Sequence, residues 1–260
     1  MTQVIANRRD IEFVLYEQLD TISLTQEAPF KGMNKKFFDM IITEARSFAI
    51  KEVLPLNELG DQIGVTFENN EVKVPDSFHR PYKLLGQGGY TSLTEDPEWG
   101  GQGLPNVVAR AVLEYIQGAD FAFSAYGTLT RGAAKMIETF GTEKQKQIFL
   151  KKMYSGKWGG TMVLTEPEAG SDLGNLSTSA KKNPDGTYSI TGNKIFITNG
   201  DHNLTENIIH PVLARIEGAP SGTKGISLFI VPKIWVNEGG ILEESNDVIC
   251  TGIENKMGLH

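Results

Sequence analysis

Leu164-Thr165-Glu166-Pro167-Glu168-Ala169-Gly170-Ser171-Asp172-Leu173 stands where the hydrophobic period of the chain changes. Before it, apolar residues recur at helical spacing. After it, they fall in short runs rich in Ile, Val and Phe. The switch falls at about residue 157. Helices followed by strands predict an α+β chain, an all-α helical N-terminal domain followed by an antiparallel β domain, not a wound α/β sheet.

Upstream, Asn34 is a candidate N-cap, and Phe37, Phe38, Ile41, Ile42, Ala45, Phe48, Ala49 and Val53 then share one face, with Pro55 as the stop. Ile11, Val14, Leu15 and Leu19 space a separate short helix over residues 10–20. Asp76, Asn106 and Asp120 predict caps for three more helices, ending at about residues 85, 116 and 139. Thr142-Glu143-Lys144-Gln145 has the capping-box pattern, with Glu143 at the positive end of the dipole and Lys151 and Lys152 at the negative end. Downstream, residues 177–182 and 187–191 flank the hairpin turn Asn183-Pro184-Asp185-Gly186. Residues 194–198, 208–216 and 226–231 read as further strands. The expected division by period is a helical domain over 34–157, preceded by residues 1–33, and a β domain over 158–260.

The composition excludes several classes. The 260 residues carry 25 Lys plus Arg against 32 Asp plus Glu, a net charge of −7, which argues against nucleic acid as the main partner. No apolar run approaches the roughly 18 residues of a membrane span. The start, MTQVIANRRDIEF, lacks the apolar stretch of a secretory leader, and Cys250 is the lone cysteine, so a reducing, cytoplasmic setting is expected. His79, His202, His210 and His260 are scattered, so no metal site is expected. GxGxxG, GxxxxGK[ST] and GxSxG are all absent.

Two stretches could carry chemistry. Residues 161–164 read as a strand entering a turn, where Pro167 fixes one dihedral and Gly170 permits a positive one. Such a loop aims backbone N–H groups and the hydroxyls of Thr165 and Ser171 at an anionic or carbonyl-rich ligand. By itself it also reads as a polar interdomain turn whose Ser and Asp cap backbone. In Lys194-Ile195-Phe196-Ile197-Thr198-Asn199-Gly200, a strand would put Phe196 and Thr198 on one face. An aromatic beside a hydroxyl suits a flat polar heterocycle, and alone it also reads as an ordinary strand with a core phenylalanine.

With Glu98-Trp99-Gly100-Gly101-Gln102-Gly103 and Phe140-Gly141-Thr142-Glu143-Lys144-Gln145-Lys146, these stretches follow in order over about residues 95–200. Together they resemble the N-terminal portion of an acyl-CoA dehydrogenase. Arg8-Arg9-Asp10-Ile11-Glu12-Phe13-Val14-Leu15 resembles the extra segment of an N-terminally extended, 3-methylmercaptopropionyl-CoA dehydrogenase-like subgroup, and Asp201-His202 and Ile209-His210 point the same way.

The resemblance implies an FAD enzyme that oxidises an acyl-CoA thioester to its 2-enoyl form. It implies that backbone groups of Met162 and Leu164 bond the flavin pyrimidine, and that Thr165 bonds near N5. Many relatives carry an aromatic where Met162 stands. Gly170 and Ser171 match a loop on the pyrophosphate or the acyl-CoA, Phe196 the aromatic packed on the flavin, and Thr198 a hydroxyl on the cofactor. Glu166, Asp172 and Asn199 would shape loops. The resemblance also implies that residues 1–33 are an N-terminal extension and that the β domain over 158–260 is incomplete at its C-terminus. In the family the catalytic Glu lies beyond residue 260, so no base is assigned, and the chain is expected to be part of a longer enzyme and inactive alone. Homo-oligomerisation when full length is implied, and an electron-transfer flavoprotein stands open as acceptor. The alternatives are a non-catalytic acyl-CoA- or partner-binding module, and a folding remnant that binds nothing.

Overall fold

Most helix starts obey local side-chain chemistry in the computed structural model, which describes Ile5 and residues 7–259. His260 and part of the expected N-terminal extension lie outside the described residues. Helix α1 (Arg8–Glu12) is capped by Asn7 and runs on into a π-helical segment, Phe13–Gln18. Helix α2 (Lys35–Phe48) begins at Asn34, whose side chain accepts from the Phe37 amide at 3.0 Å.

The expected stop at Pro55 is corrected. The chain passes through a π-helical turn, Ala49–Val53, directly into α3 (Leu54–Ile63), with Pro55 in its first turn. There a missing N–H leaves no bond unmade, and the wide turn takes up the mismatch.

A short hairpin follows, β1 (Thr66–Glu68) and β2 (Glu71–Lys73), joined by Asn69 and Asn70 at positive φ. Helix α4 (His79–Gln87) is entered through a 3₁₀ turn, Asp76–Phe78, and Asp76 does not cap it. Helix α5 (Asn106–Ala119) takes Asn106 as its first residue, with Pro105 in the cap position. Helix α6 (Phe121–Phe140) is capped as expected, Asp120 accepting from the Phe123 amide at 2.9 Å. Helix α7 (Glu143–Tyr154) has both halves of the capping box on Thr142 and Gln145. Among the described residues no helix is long and apolar enough to cross a membrane.

The helices enclose one apolar core, with Phe38, Val112, Tyr115 and Phe123 fully buried. A second core joins helices to sheet: Ala133 and Ile137 of α6 and Leu150 and Met153 of α7 pack on Trp158 and Ile209. Gly160 shows how tight this contact is. A Cβ there would lie 2.8 Å from the Ala133 Cβ and 2.9 Å from the Met153 Cε. Its N–H donates to the Thr130 hydroxyl at 3.0 Å.

The sheet comprises β3 (Trp158–Gly160), β4 (Ser179–Lys182), β5 (Tyr188–Thr191), β6 (Asn207–Ile216) and β7 (Ile226–Pro232). Strands β3 and β4 both run parallel to β6, along one edge. The β4–β5 and β6–β7 pairs are antiparallel. The sheet is therefore mixed rather than wholly antiparallel, because long connections allow parallel neighbours that hairpin signals cannot announce. A small hairpin, β8 (Ile234–Val236) with β9 (Leu242–Ser245), lies beyond it.

The strand expected over 194–198 does not form. Phe196 and Asn199 take positive φ of 59 and 57°. The Ile195 amide bonds the Thr165 carbonyl, and Gly200 N–H closes a turn on Ile197. The next three residues clamp the two halves together. Asp201 accepts from the Val72 amide, Asn203 accepts from the Val74 amide, and the His202 ring stands edge-on to Tyr126 at 5.0 Å.

Candidate functional site

Beyond β3 the chain stays extended beside β6. Thr161 and Val163 donate to the carbonyls of Ile209 and Pro211 at 3.1 and 2.9 Å, and the Val163 carbonyl accepts from Leu213. Alternation along an extended chain then turns the polar groups of Met162 and Leu164 away from β6. Among the described residues the Met162 N–H and C=O and the Leu164 N–H have no partner, on a half-buried edge. The Leu164 carbonyl accepts from the Lys194 ammonium at 2.9 Å. Thr165 gives its carbonyl to Ile195, and its hydroxyl is unpartnered among the described residues.

Glu166 holds this edge in shape. Its buried carboxylate accepts from the Ser177 amide and hydroxyl at 2.6 and 2.7 Å, the Thr178 amide at 3.0 Å and hydroxyl, and Lys194 Nζ at 2.8 Å. Burial alone would raise its pKa, but Lys194, Thr178 and Ser177 outweigh burial and hold the carboxyl at about 2. Glu166 and Ala169 also exchange both backbone bonds, which closes a tight turn over Pro167-Glu168. Asp172 bonds the Gly174 amide and the Asn175 side chain. Asn199 supplies the positive φ of its turn.

An open cleft of about 1300 Å³ lies between the start of α6, the β5 hairpin, the 194–201 loop and the 246–259 segment. Phe196 and Thr198 line it. Phe196 is no core residue, for it is 51% exposed. The Thr165–Ile195 bond ties this rim to the unpaired edge, so Met162, Leu164, Thr165, Phe196 and Thr198 form one neighbourhood. Met162, Leu164 and Thr165 flank the cleft without lining it. Gly170 and Ser171 lie exposed at the far end of the loop and do not line the cleft either.

Sequence reasoning missed two groups. Lys256 donates to the Phe196 carbonyl at 2.7 Å and to the Thr198 hydroxyl at 2.6 Å, across about sixty residues of chain that no local pattern links. His210 lines the cleft, with Nδ1 2.8 Å from the Thr161 hydroxyl and a buried Nε2 that has no partner among the described residues. Burial pushes the imidazoles of both His202 and His210 down to about 4, so both are neutral near pH 7. Its place on a strand predicted for 208–216 was the signal available for His210. Among the described residues no cluster of His, Cys, Asp or Glu could hold a metal ion.

Two family models match the chain: the acyl-CoA dehydrogenase N-terminal domain over residues 38–157 and the acyl-CoA dehydrogenase middle domain over residues 161–246. A 3-methylmercaptopropionyl-CoA dehydrogenase of Ruegeria pomeroyi is 42% identical over 218 residues, 84% of this chain and 37% of that protein. A butyryl-CoA dehydrogenase of Syntrophomonas wolfei is 40% identical over 261 residues, 97% of this chain and 42% of that protein. The chain thus spans about two fifths of the length of these relatives. Among solved structures, an acyl-CoA dehydrogenase of Bacillus anthracis complexed with FAD superposes with a TM-score of 0.63 at 29% identity, over 78% of this chain and 32% of that one.

Proposed function

The chain belongs to the acyl-CoA dehydrogenase family, and on that premise we propose that it holds the flavin ring of FAD and forms one wall of an acyl-CoA site. The Met162 N–H and C=O and the Leu164 N–H, unpaired among the described residues beside an unpartnered Thr165 hydroxyl, carry this reading. Half-buried N–H and C=O groups without a partner cost stability unless a ligand or water satisfies them. An N–H, a C=O and a further N–H in sequence match the alternating donors and acceptors along the edge of a pyrimidine ring.

FAD, when bound, supplies the hydride acceptor of the dehydrogenation. The chain's own contribution is position. Met162 and Leu164 would bond the ring edge through their backbones, Thr165 would donate or accept beside them, and Phe196 would pack on the ring. Thr198 would bond the cofactor nearby, and Gly170 and Ser171 would reach the pyrophosphate or the acyl-CoA from the exposed loop.

We assign no base for the α-proton to this chain. Glu166, the carboxylate nearest the edge, is held at about 2 and fully engaged, so at neutral pH it takes no proton from carbon. Asp201 is engaged by Lys233 and Val72, and the buried Glu95 by Arg131. An electron-transfer flavoprotein is the acceptor this reading carries.

Titration of the 260-residue chain with FAD tests the proposal. Stoichiometric binding is expected, weakened about tenfold or more by F196A, with no turnover of a short acyl-CoA in the absence of a second polypeptide. Failure to bind FAD refutes the cofactor role. Full turnover by the chain alone refutes the missing base.

A further inference from the structure

Phe196 is an exposed aromatic held in the left-handed region, at a φ of 59°. That conformation is costly for a non-glycine residue and persists only where neighbours over-determine it. Three contacts do so. Ile195 is tied to Thr165, the Ile197–Gly200 turn closes the far side, and the Lys256 ammonium bonds the Phe196 carbonyl itself.

The same ammonium bonds the Thr198 hydroxyl. An ammonium only donates, so Thr198 Oγ1 is the acceptor in that contact. The hydroxyl proton of Thr198 is therefore left to donate, and it meets no acceptor among the described residues. Lys256 is half-buried and has no carboxylate partner among the described residues. Burial lowers its pKa from the ordinary lysine value, as expected of a cation drawn partly out of water.

We infer that Lys256 is a positioning residue for the cofactor: it locks the Phe196 ledge through its carbonyl and fixes Thr198 as a hydrogen-bond donor, with its positive charge one bond behind. This rests on the proposed flavin role. The ligand atom that Thr198 meets must then be an acceptor. A donor backed by a cation binds more strongly to a ring that gains electron density, as a flavin does on reduction.

The test compares FAD binding and midpoint potential in the wild-type chain, K256M, K256R and T198V. In K256M, oxidised FAD is expected to bind about tenfold more weakly. The reduced form loses about tenfold more again, which moves the two-electron midpoint about 30 mV more negative. K256R keeps the charge and the donors, so it is expected to recover most of both. K256M placed on T198V is expected to add little to the potential shift, because the two act as one unit. Wild-type binding with unchanged affinity and potential in K256M overturns the inference and leaves the flavin role standing. Absence of FAD binding by the wild-type chain overturns the flavin role, and the inference falls with it. A K256R variant as impaired as K256M points to a steric role for Lys256 and also overturns it.

Discussion

Replacing Glu166 with Gln tests the reasoning about the edge most directly. Both carboxylate oxygens act only as acceptors, one toward Ser177, the other toward Thr178 and Lys194. An amide keeps the shape but must turn N–H groups on one side toward existing donors, and it leaves the Lys194 ammonium, 10% exposed, without its counter-charge. A carboxyl held at about 2 instead of 4.5 corresponds to about 3 kcal/mol of native-state stabilisation. Breaking a buried pair from one side costs about 3–5 kcal/mol, the same range. For a domain of this size about 3 kcal/mol lowers Tm by roughly 6–12 °C.

The sign follows from the direction of the shift. The folded-state pKa lies below the unfolded value. The contribution is complete above about 4.5 and is lost as pH falls through about 2. Urea melts of wild type and E166Q across that range give the assay. E166Q is expected to lack this component of acid sensitivity, and K194M to resemble it, with the double variant costing less than the sum. An E166Q chain within about 0.5 kcal/mol of wild type, with an unchanged acid slope, would refute the account.

Three further outcomes follow from the same geometry. G160A drives a methyl against Ala133 and Met153, and about 1–3 kcal/mol of destabilisation is expected in thermal melts, with the loss centred on the helix–sheet contact. His202 and His210 are buried neutral with folded pKa values near 4, below the unfolded 6.5, so their contribution is present above about 6.5 and declines as pH falls toward 4. H210Q should flatten part of that decline in denaturant titrations. T142A removes the hydroxyl that caps α7 and should cost about 1 kcal/mol, measured by urea unfolding, with no change in FAD affinity.

The elements legible in the sequence were those written within one helical turn. Asn34, Asp120 and Thr142 cap because a side chain reaches an amide two or three residues on. Pro55 misled because a π turn, which no single residue announces, carries the helix past it. The 194–198 stretch misled for a different reason. Its Ile, Phe and Thr suit a strand, but its backbone is set by Thr165 and Lys256, about thirty residues before it and sixty after. The candidate site is likewise half legible. The resemblance pointed to Met162, Leu164, Thr165, Phe196 and Thr198, and the Thr165–Ile195 bond ties the edge that carries the first three to the loop that carries the other two. The Lys256 contact and the many bonds to Glu166 are non-local, and composition carries no trace of them.

The clamp at Asp201–Asn203 bears on the order in which the chain acquires its form. Its two bonds each close over 129 residues, the Asp201 and Asn203 side chains reaching back to the amides of Val72 and Val74. Closing so long a loop costs entropy before any contact repays it, and such topologies fold slowly. During synthesis the Val72 and Val74 amides, at the β1–β2 hairpin, have only water to bond until the segment after Gly200 has left the ribosome. The helical half therefore cannot reach its final state first and serve as a template. The two halves are committed to finishing together, and a cut at the junction near residue 157 should yield a helical piece that stays incompletely ordered around that hairpin.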